Sequence, residues 1–214
     1  MARPARVSPD LILAAAALEF AARGFAGARV DRIARRAKVN KAMIYYHFKG
    51  KEDLYRTLLR GMFTRAAERL QAIAGGPGAP AEKVDRAIAG MAAFIEQHTF
   101  FPAIMLRELA EGGAHLDRET LKALAAVPRS VADIVEEGVA LGHFRAVDPV
   151  FAYFSMVAPI VFYLAGAPIR KELSHLHVIN MRALSPAEFV GQAQEAARRA
   201  LRRDARTGGE GPTS

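Results

Sequence analysis

The sequence contains no cysteine. A disulfide scaffold, a thiolate metal site and a cysteine nucleophile are therefore excluded. Strand signals are nearly absent as well: no Val, Ile or Thr run alternates with polar residues over any length, while alanine is abundant, so the chain reads as all-α. Neither Gly-x-Ser-x-Gly nor His-Glu-x-x-His occurs. The one glycine-rich stretch, Gly75-Gly76-Pro77-Gly78-Ala79-Pro80, follows a helical pattern rather than a strand and lacks the Gly-Lys-Ser/Thr ending of a phosphate loop. The chain is accordingly expected not to be an enzyme and to use no cofactor or metal. Its basic start, Met1-Ala2-Arg3-Pro4-Ala5-Arg6, leads into no long uncharged run, because Glu19 and Arg23 interrupt the segment after Asp10. A secretory signal is not expected, and a cytoplasmic location follows by default.

What is present is a core-forming composition with an uneven charge. Hydrophobic residues make up 51% of 214, enough for one compact unit or two small ones. The net charge is +8, and residues 1–60 hold all of the excess, with 13 Lys and Arg against 5 Asp and Glu; the remainder has 17 of each. A basic module on a neutral body is the electrostatic footprint of a polyanion binder. A solvated helix face carrying Arg32, Arg35 and Arg36 is the plainer reading of the same charge.

Caps and stripes divide the chain. Ser8-Pro9-Asp10 reads as an N-cap, a first-turn proline and a dipole-matched acid, opening a helix that Gly24 should stop. A second helix spans Val30 to Ala37, and Asn40 caps a third that ends near Phe48. Leu54, Leu58, Met62, Ala66 and Leu70 stripe a long fourth helix from about Lys51, and Gly75–Pro80 is a linker. Val84, Ile88, Met91, Ile95 and His98 mark the next helix, followed by helices over Pro102–Glu111, Asp117–Ala126 and Pro128–Leu141. Asp148-Pro149 opens another, and Ser185-Pro186-Ala187-Glu188 reads as a capping box for a last helix to about Arg203. The tail 207–214 is expected to be disordered. Pro149 to Ile169 is 21 residues without a charge. That meets the length rule for a membrane span, but three prolines interrupt it; a helix apolar all round also suits an oligomer core.

The stretch from Val30 to Leu54, VDRIARRAKVNKAMIYYHFKGKEDL, has the form of a helix-turn-helix. The helix at Val30 would cross the sugar-phosphate backbone, and the turn at Lys38-Val39-Asn40 would set the third helix into the major groove. Lys41 and Tyr45 lie one turn apart, flanked by Met43, Tyr46 and His47, while Ile44 and Phe48 would pack inward. The helix thus has one buried edge and one polar, aromatic edge.

These residues resemble the tetracycline-repressor (TetR) family of bacterial transcription regulators. The resemblance rests on Ala15-Ala16, Leu18 and Phe20, then Gly24-Phe25, Ile33-Ala34, Ala37 and Val39, and above all on Tyr45-Tyr46-His47-Phe48 followed by Lys51-Glu52-Asp53-Leu54. It covers about residues 8–60. It implies a three-helix DNA-binding domain (1–52) and a larger helical domain for ligand binding and dimerisation (53–206), about nine to ten helices in all. It further implies that Tyr45 and His47 contact phosphates, with Tyr45 close enough to touch a base, that Lys51 binds a phosphate at a helix N-terminus, and that Lys41, Ala42, Met43 and Tyr46 supply base contacts or groove fit. Arg29, counted among the DNA-contacting residues, stands where a capping threonine is usual, Lys38 where glycine is frequent in the turn, and Ala42 where glycine is usual.

The same resemblance implies a homodimer on a palindromic operator in double-stranded DNA, joined mostly through Pro149–Ala165 and Pro186–Arg203, and an unknown small-molecule effector whose binding releases the DNA. Residues suited to an apolar effector cavity are Phe63, Phe94, His98, Phe101, Met105, Arg107, Tyr153, Met156 and Phe162, all equally suited to a plain core. Arg107-Glu108 reads as an ion pair or as two ligand hooks. Glu172, His175 and His177 read as a solvated loop, and His115 and His143 as isolated surface residues. The competing functions are a non-specific architectural DNA-binding protein, or a small helical enzyme or membrane-associated protein built around Pro149–Ile169. No membrane partner is expected.

Overall fold

The computed structural model describes residues 8–176 and 185–203. His177 and the tail 207–214 lie outside them. Among the described residues the chain forms ten helices and no strand: α1 (Pro9–Gly27), α2 (Val30–Ala37), α3 (Lys41–His47), α4 (Lys51–Ala74), α5 (Pro80–Gln97), α6 (Phe101–Ala110), α7 (Arg118–Ala140), α8 (Pro149–Ala165), α9 (Ala167–His175) and α10 (Pro186–Leu201). They fall into two compact units, one of residues up to 65 with 97–126, the other of 66–96 with the described residues from 127 onward.

The first unit is built on α1. Ser8 Oγ accepts the Asp10 N–H at 3.2 Å, starting the helix. Ile12, Ala15, Ala16, Ala17 and Phe20 are buried on its inner side. Gly24 leaves helical geometry at φ 68°, a value glycine takes without strain, yet helical structure resumes and runs to Gly27 instead of stopping. The break frees carbonyls, and Arg107 of α6 takes up those of Phe20, at 3.0 Å, and Ala21. Phe20 and Tyr55 meet edge to face with centroids 4.6 Å apart, joining α1 to the start of α4.

The second unit carries α8 against α10. Tyr163 and Phe189 stack with centroids 3.9 Å apart. Asp148 accepts the Phe151 N–H at 2.7 Å, and Ser185 and Glu188 close the expected capping box. Lys83 of α5 pairs with Glu137 of α7 at 2.7 Å, and Arg198 of α10 with Asp85 of α5 at 2.6 Å. α8 has two faces. Ala152, Met156 and Ile160, spaced by four, are buried, whereas Phe151, Phe154 and Phe162 are 64%, 59% and 66% exposed.

Three expectations about the elements change. The two helices expected on either side of Val127 form the single helix α7, with Pro128 inside it. The proline removes one ladder bond, but Val127, Val131, Ile134 and Val135 are buried at helical spacing and hold the helix together. The apolar segment from Pro149 is broken after Ala165, and α9 leaves at 51° to α8. Glu172 and His175 therefore lie on a helix, not in a loop. No single helix among the described residues is long and apolar enough to cross a membrane; α8 and α9 reach that length only as a bent pair.

Candidate nucleic-acid interface

The geometry of the head starts at Glu19. This carboxylate is only 4% exposed, on the otherwise apolar face of α1. Its Oε1 accepts the Arg32 Nε–H at 2.5 Å and the Arg29 backbone N–H at 3.4 Å. Burial works against its charge, but the Arg32 and Arg29 bonds and the nearby guanidinium groups outweigh it, so the carboxyl titrates below its usual range. Arg29 is the N-cap of α2 and has no side-chain capping bond. Glu19 thus does from α1 what the N3 glutamate of a capping box does locally, accepting the N–H of the N-cap residue.

The turn is tight. Lys38 closes α2 in the left-handed region (φ 55°, ψ 40°), with the Val39 N–H returning to the Ala34 carbonyl at 3.0 Å. An L side chain in this conformation costs about 1 kcal/mol. Lys38→Gly is therefore expected to raise the free energy of unfolding by about 0.5–1 kcal/mol, read from urea denaturation at unchanged slope. Asn40 Oδ1 accepts the Ala42 N–H at 2.9 Å and starts α3.

α3 is anchored by Ile44, which has no exposed surface, and by the following Phe48 at 6%. Its other side faces out. Tyr45 is 51% and Tyr46 80% exposed; Lys41 and Ala42 are exposed, Met43 and His47 half-buried. The Lys41 ammonium pairs with Asp31 at 2.8 Å, but both side chains are largely exposed, and such a pair yields readily to a stronger anion. The Nε2 atom of His47 is buried and meets no hydrogen-bond partner among the described residues.

Lys51 stands at the first residue of α4, where the open N–H groups of the helix favour an anion. Its ammonium, however, donates to the carbonyls of Phe25 at 2.9 Å and Ala28 at 3.3 Å, and sits 4.5 Å from the Phe25 ring centroid. It closes the end of α1 in this structure. Arg29 is exposed.

The residues expected around an effector are split between the units. Phe63, His98, Phe101, Met105 and Arg107 belong to the first and Phe94, Tyr153, Met156 and Phe162 to the second. Phe63, Phe94, Phe101 and Met156 are buried, whereas Phe162 lies on the exposed stripe of α8. Burial pushes the Tyr153 phenol up to about 12. Arg107 and Glu108 do not pair with each other: Arg107 binds α1 carbonyls, and Glu108 takes bonds from Tyr55 and His115. His115 is not an isolated surface residue; its side chain is 18% exposed and lies between Glu108 and Glu111.

Sequence reasoning missed Glu19, Tyr55 and Glu108 as positioning residues. A signal was available. Glu19 falls in register with Ile12, Ala15 and Ala16, and Glu108 with Phe101 and Ile104, so each is a carboxylate on an apolar stripe.

The family model described as bacterial regulatory proteins, tetR family, matches residues 12–58, and that of a tetracyclin repressor-like C-terminal domain matches residues 80–186. The HTH-type transcriptional repressor NicS of Pseudomonas putida is 31% identical over 163 residues, covering 72% of this chain and 74% of that protein. The HTH-type transcriptional regulator YhgD of Bacillus subtilis is 30% identical, covering 69% and 77%. The crystal structure of the transcriptional regulator FadR from Bacillus subtilis, in complex with stearoyl-CoA, superposes with a TM-score of 0.74 over 91% of this chain and 100% of that one, at 18% identity.

Proposed function

The chain belongs to the tetR family of bacterial regulatory proteins and is a DNA-binding regulator of transcription, and from that premise we propose that it is a homodimeric repressor of a palindromic operator. Members of this family bind DNA as dimers and respond to small molecules. The observation that carries the reading is the outer face of α3. A short helix fixed by Ile44 and Phe48 presents Lys41, Ala42, Tyr45 and Tyr46 to solvent within the first 60 residues, which account for the net charge of +8. Exposed tyrosines beside an exposed lysine serve little in a folded core and much in a major groove.

In this reading Lys41, Ala42, Met43 and Tyr46 face bases, and Tyr45 and His47 reach phosphates, with Tyr45 also close enough to touch a base. Arg29, at the start of α2, and Lys51 lie at ends of neighbouring helices where backbone phosphates would pass; Lys51 would exchange its carbonyl bonds for a phosphate. The second copy covers the Phe151, Phe154 and Phe162 stripe of α8 and the exposed Ala196 and Ala200 of α10. A patch that repeats along one helix is suited to isologous pairing.

The effector in this reading is small and apolar, and its binding favours the arrangement of the two heads that no longer fits the operator. The shared fold with FadR, whose crystal holds stearoyl-CoA, supports an acyl-type ligand. The relatives act in transcription, and we assign the chain no catalytic step.

Selection from a random duplex library tests the reading. The enriched sequences should contain an inverted repeat with half-site centres about 34–36 Å apart or a multiple of that. A library that emerges without enrichment overturns it.

A further inference from the structure

The corner where α6 ends and α7 begins holds side chains that DNA reading does not use. Glu108 lies on the inner face of α6 and is 1% exposed. Its Oε1 accepts the Tyr55 hydroxyl at 2.8 Å and lies 2.8 Å from His115 Nδ1. Its second oxygen, Oε2, is buried with no hydrogen-bond partner among the described residues. Glu111 brings its own Oε2 to 3.5 Å from the same imidazole nitrogen. One ligand atom from each of Glu108, Glu111 and His115 falls within 4.8 Å of the others.

The neighbouring cations are committed elsewhere. Arg107 donates to the carbonyls of Phe20 and Ala21, Lys51 to those of Phe25 and Ala28, and Arg56 to Glu52 and to the His115 carbonyl. Two carboxylates, one of them buried, therefore share a single imidazole. One imidazole N–H cannot satisfy both groups and also reach the orphaned Oε2. A buried carboxylate oxygen left without a partner is costly. A divalent cation answers the charge and the open oxygen together.

We propose that Glu108, Glu111 and His115 bind one first-row divalent cation, with Zn²⁺ the best match to one imidazole nitrogen and two carboxylates. Such ligands lie about 2.0–2.2 Å from zinc, which puts neighbouring ligand atoms roughly 3–3.5 Å apart. The separations of 2.8 and 3.5 Å are close to that spacing, so small side-chain shifts admit the ion. Three protein ligands leave a coordination position open to water or to Oε2. Tyr55 is the outer support: its hydroxyl donates to Glu108 Oε1 at 2.8 Å and fixes the carboxylate.

The ion would be felt by the reading head. The His115 ring lies against Phe25, centroids 4.0 Å apart, and Phe25 follows the Gly24 break in α1 and carries the Lys51 ammonium on its ring. All of these groups belong to the unit that carries α3.

The test uses the full-length chain freed of metal with a chelator. Zn²⁺ alone is added and bound metal is measured by equilibrium dialysis and elemental analysis, with Co²⁺ absorption as an optical check on the ligand set. The expected result is one ion per chain and a Tm that rises with Zn²⁺. Glu111→Gln and His115→Gln should each weaken affinity by at least about tenfold and abolish the Tm response. The Glu111 side chain is 46% exposed, so Glu111→Gln retains its far-UV circular dichroism. Absence of uptake by the parent chain, or uptake of equal affinity by both variants, which would assign the metal to other histidines, overturns the proposal.

Discussion

Tyr45→Ala should lower affinity for the selected operator by roughly 30-fold to 10⁴-fold without changing the Tm. The side chain is 51% exposed on the outer face of α3, so its removal takes little from the core. A good base or groove contact contributes about 1–3 kcal/mol. A dimer loses it twice, about 2–6 kcal/mol in all, and each 1.4 kcal/mol is tenfold in binding. Fluorescence anisotropy at fixed salt reads the change, because affinities at different ionic strengths are not comparable. Phe48→Ala is the contrasting control: that ring is 6% exposed and its loss should unfold the head. If Tyr45→Ala binds as tightly as the parent chain, α3 is not the reading helix.

The second large effect is expected at α8. Phe154→Asp should turn the dimer into a monomer at micromolar concentration and remove tight operator binding with it. Phe154 is 59% exposed in the single chain, so the fold tolerates the acid. Across a two-fold axis the change is made twice. Each carboxylate then has to be desolvated where an aromatic ring was covered, at a cost of several kcal/mol. Sedimentation velocity gives the mass and circular dichroism the retained helix content. A Phe154→Asp chain that remains a dimer would place the interface on another surface.

The sequence carried the local decisions and not the long-range ones. Ser8, Asn40, Asp148 and Ser185 start their helices because capping depends on residues two or three positions on, and those are written in order along the chain. The two edges of α3 were legible for the same reason: Ile44 and Phe48 are one turn apart and go inward together. Pro128 misled, because the stripe that carries α7 through it extends beyond the proline's own turn. Glu108 and His115 were unreadable as a pair with Tyr55, since the phenol comes from 53 residues earlier in the chain. Lys51 shows the same limit. Its place at the start of α4 announced an anion site, but the α1 carbonyls it meets are set by how Gly24 breaks that helix, which no spacing near Lys51 reveals.

The claim on which the account depends is that two copies of this chain read one duplex by sequence. Sedimentation of the protein with the selected inverted repeat, and with a scrambled duplex of equal length at about 0.15 M salt, tests it most directly. The account predicts two chains on each selected duplex and a preference over the scrambled one of at least about 10³. One chain per duplex, or equal affinity for both sequences, would contradict it.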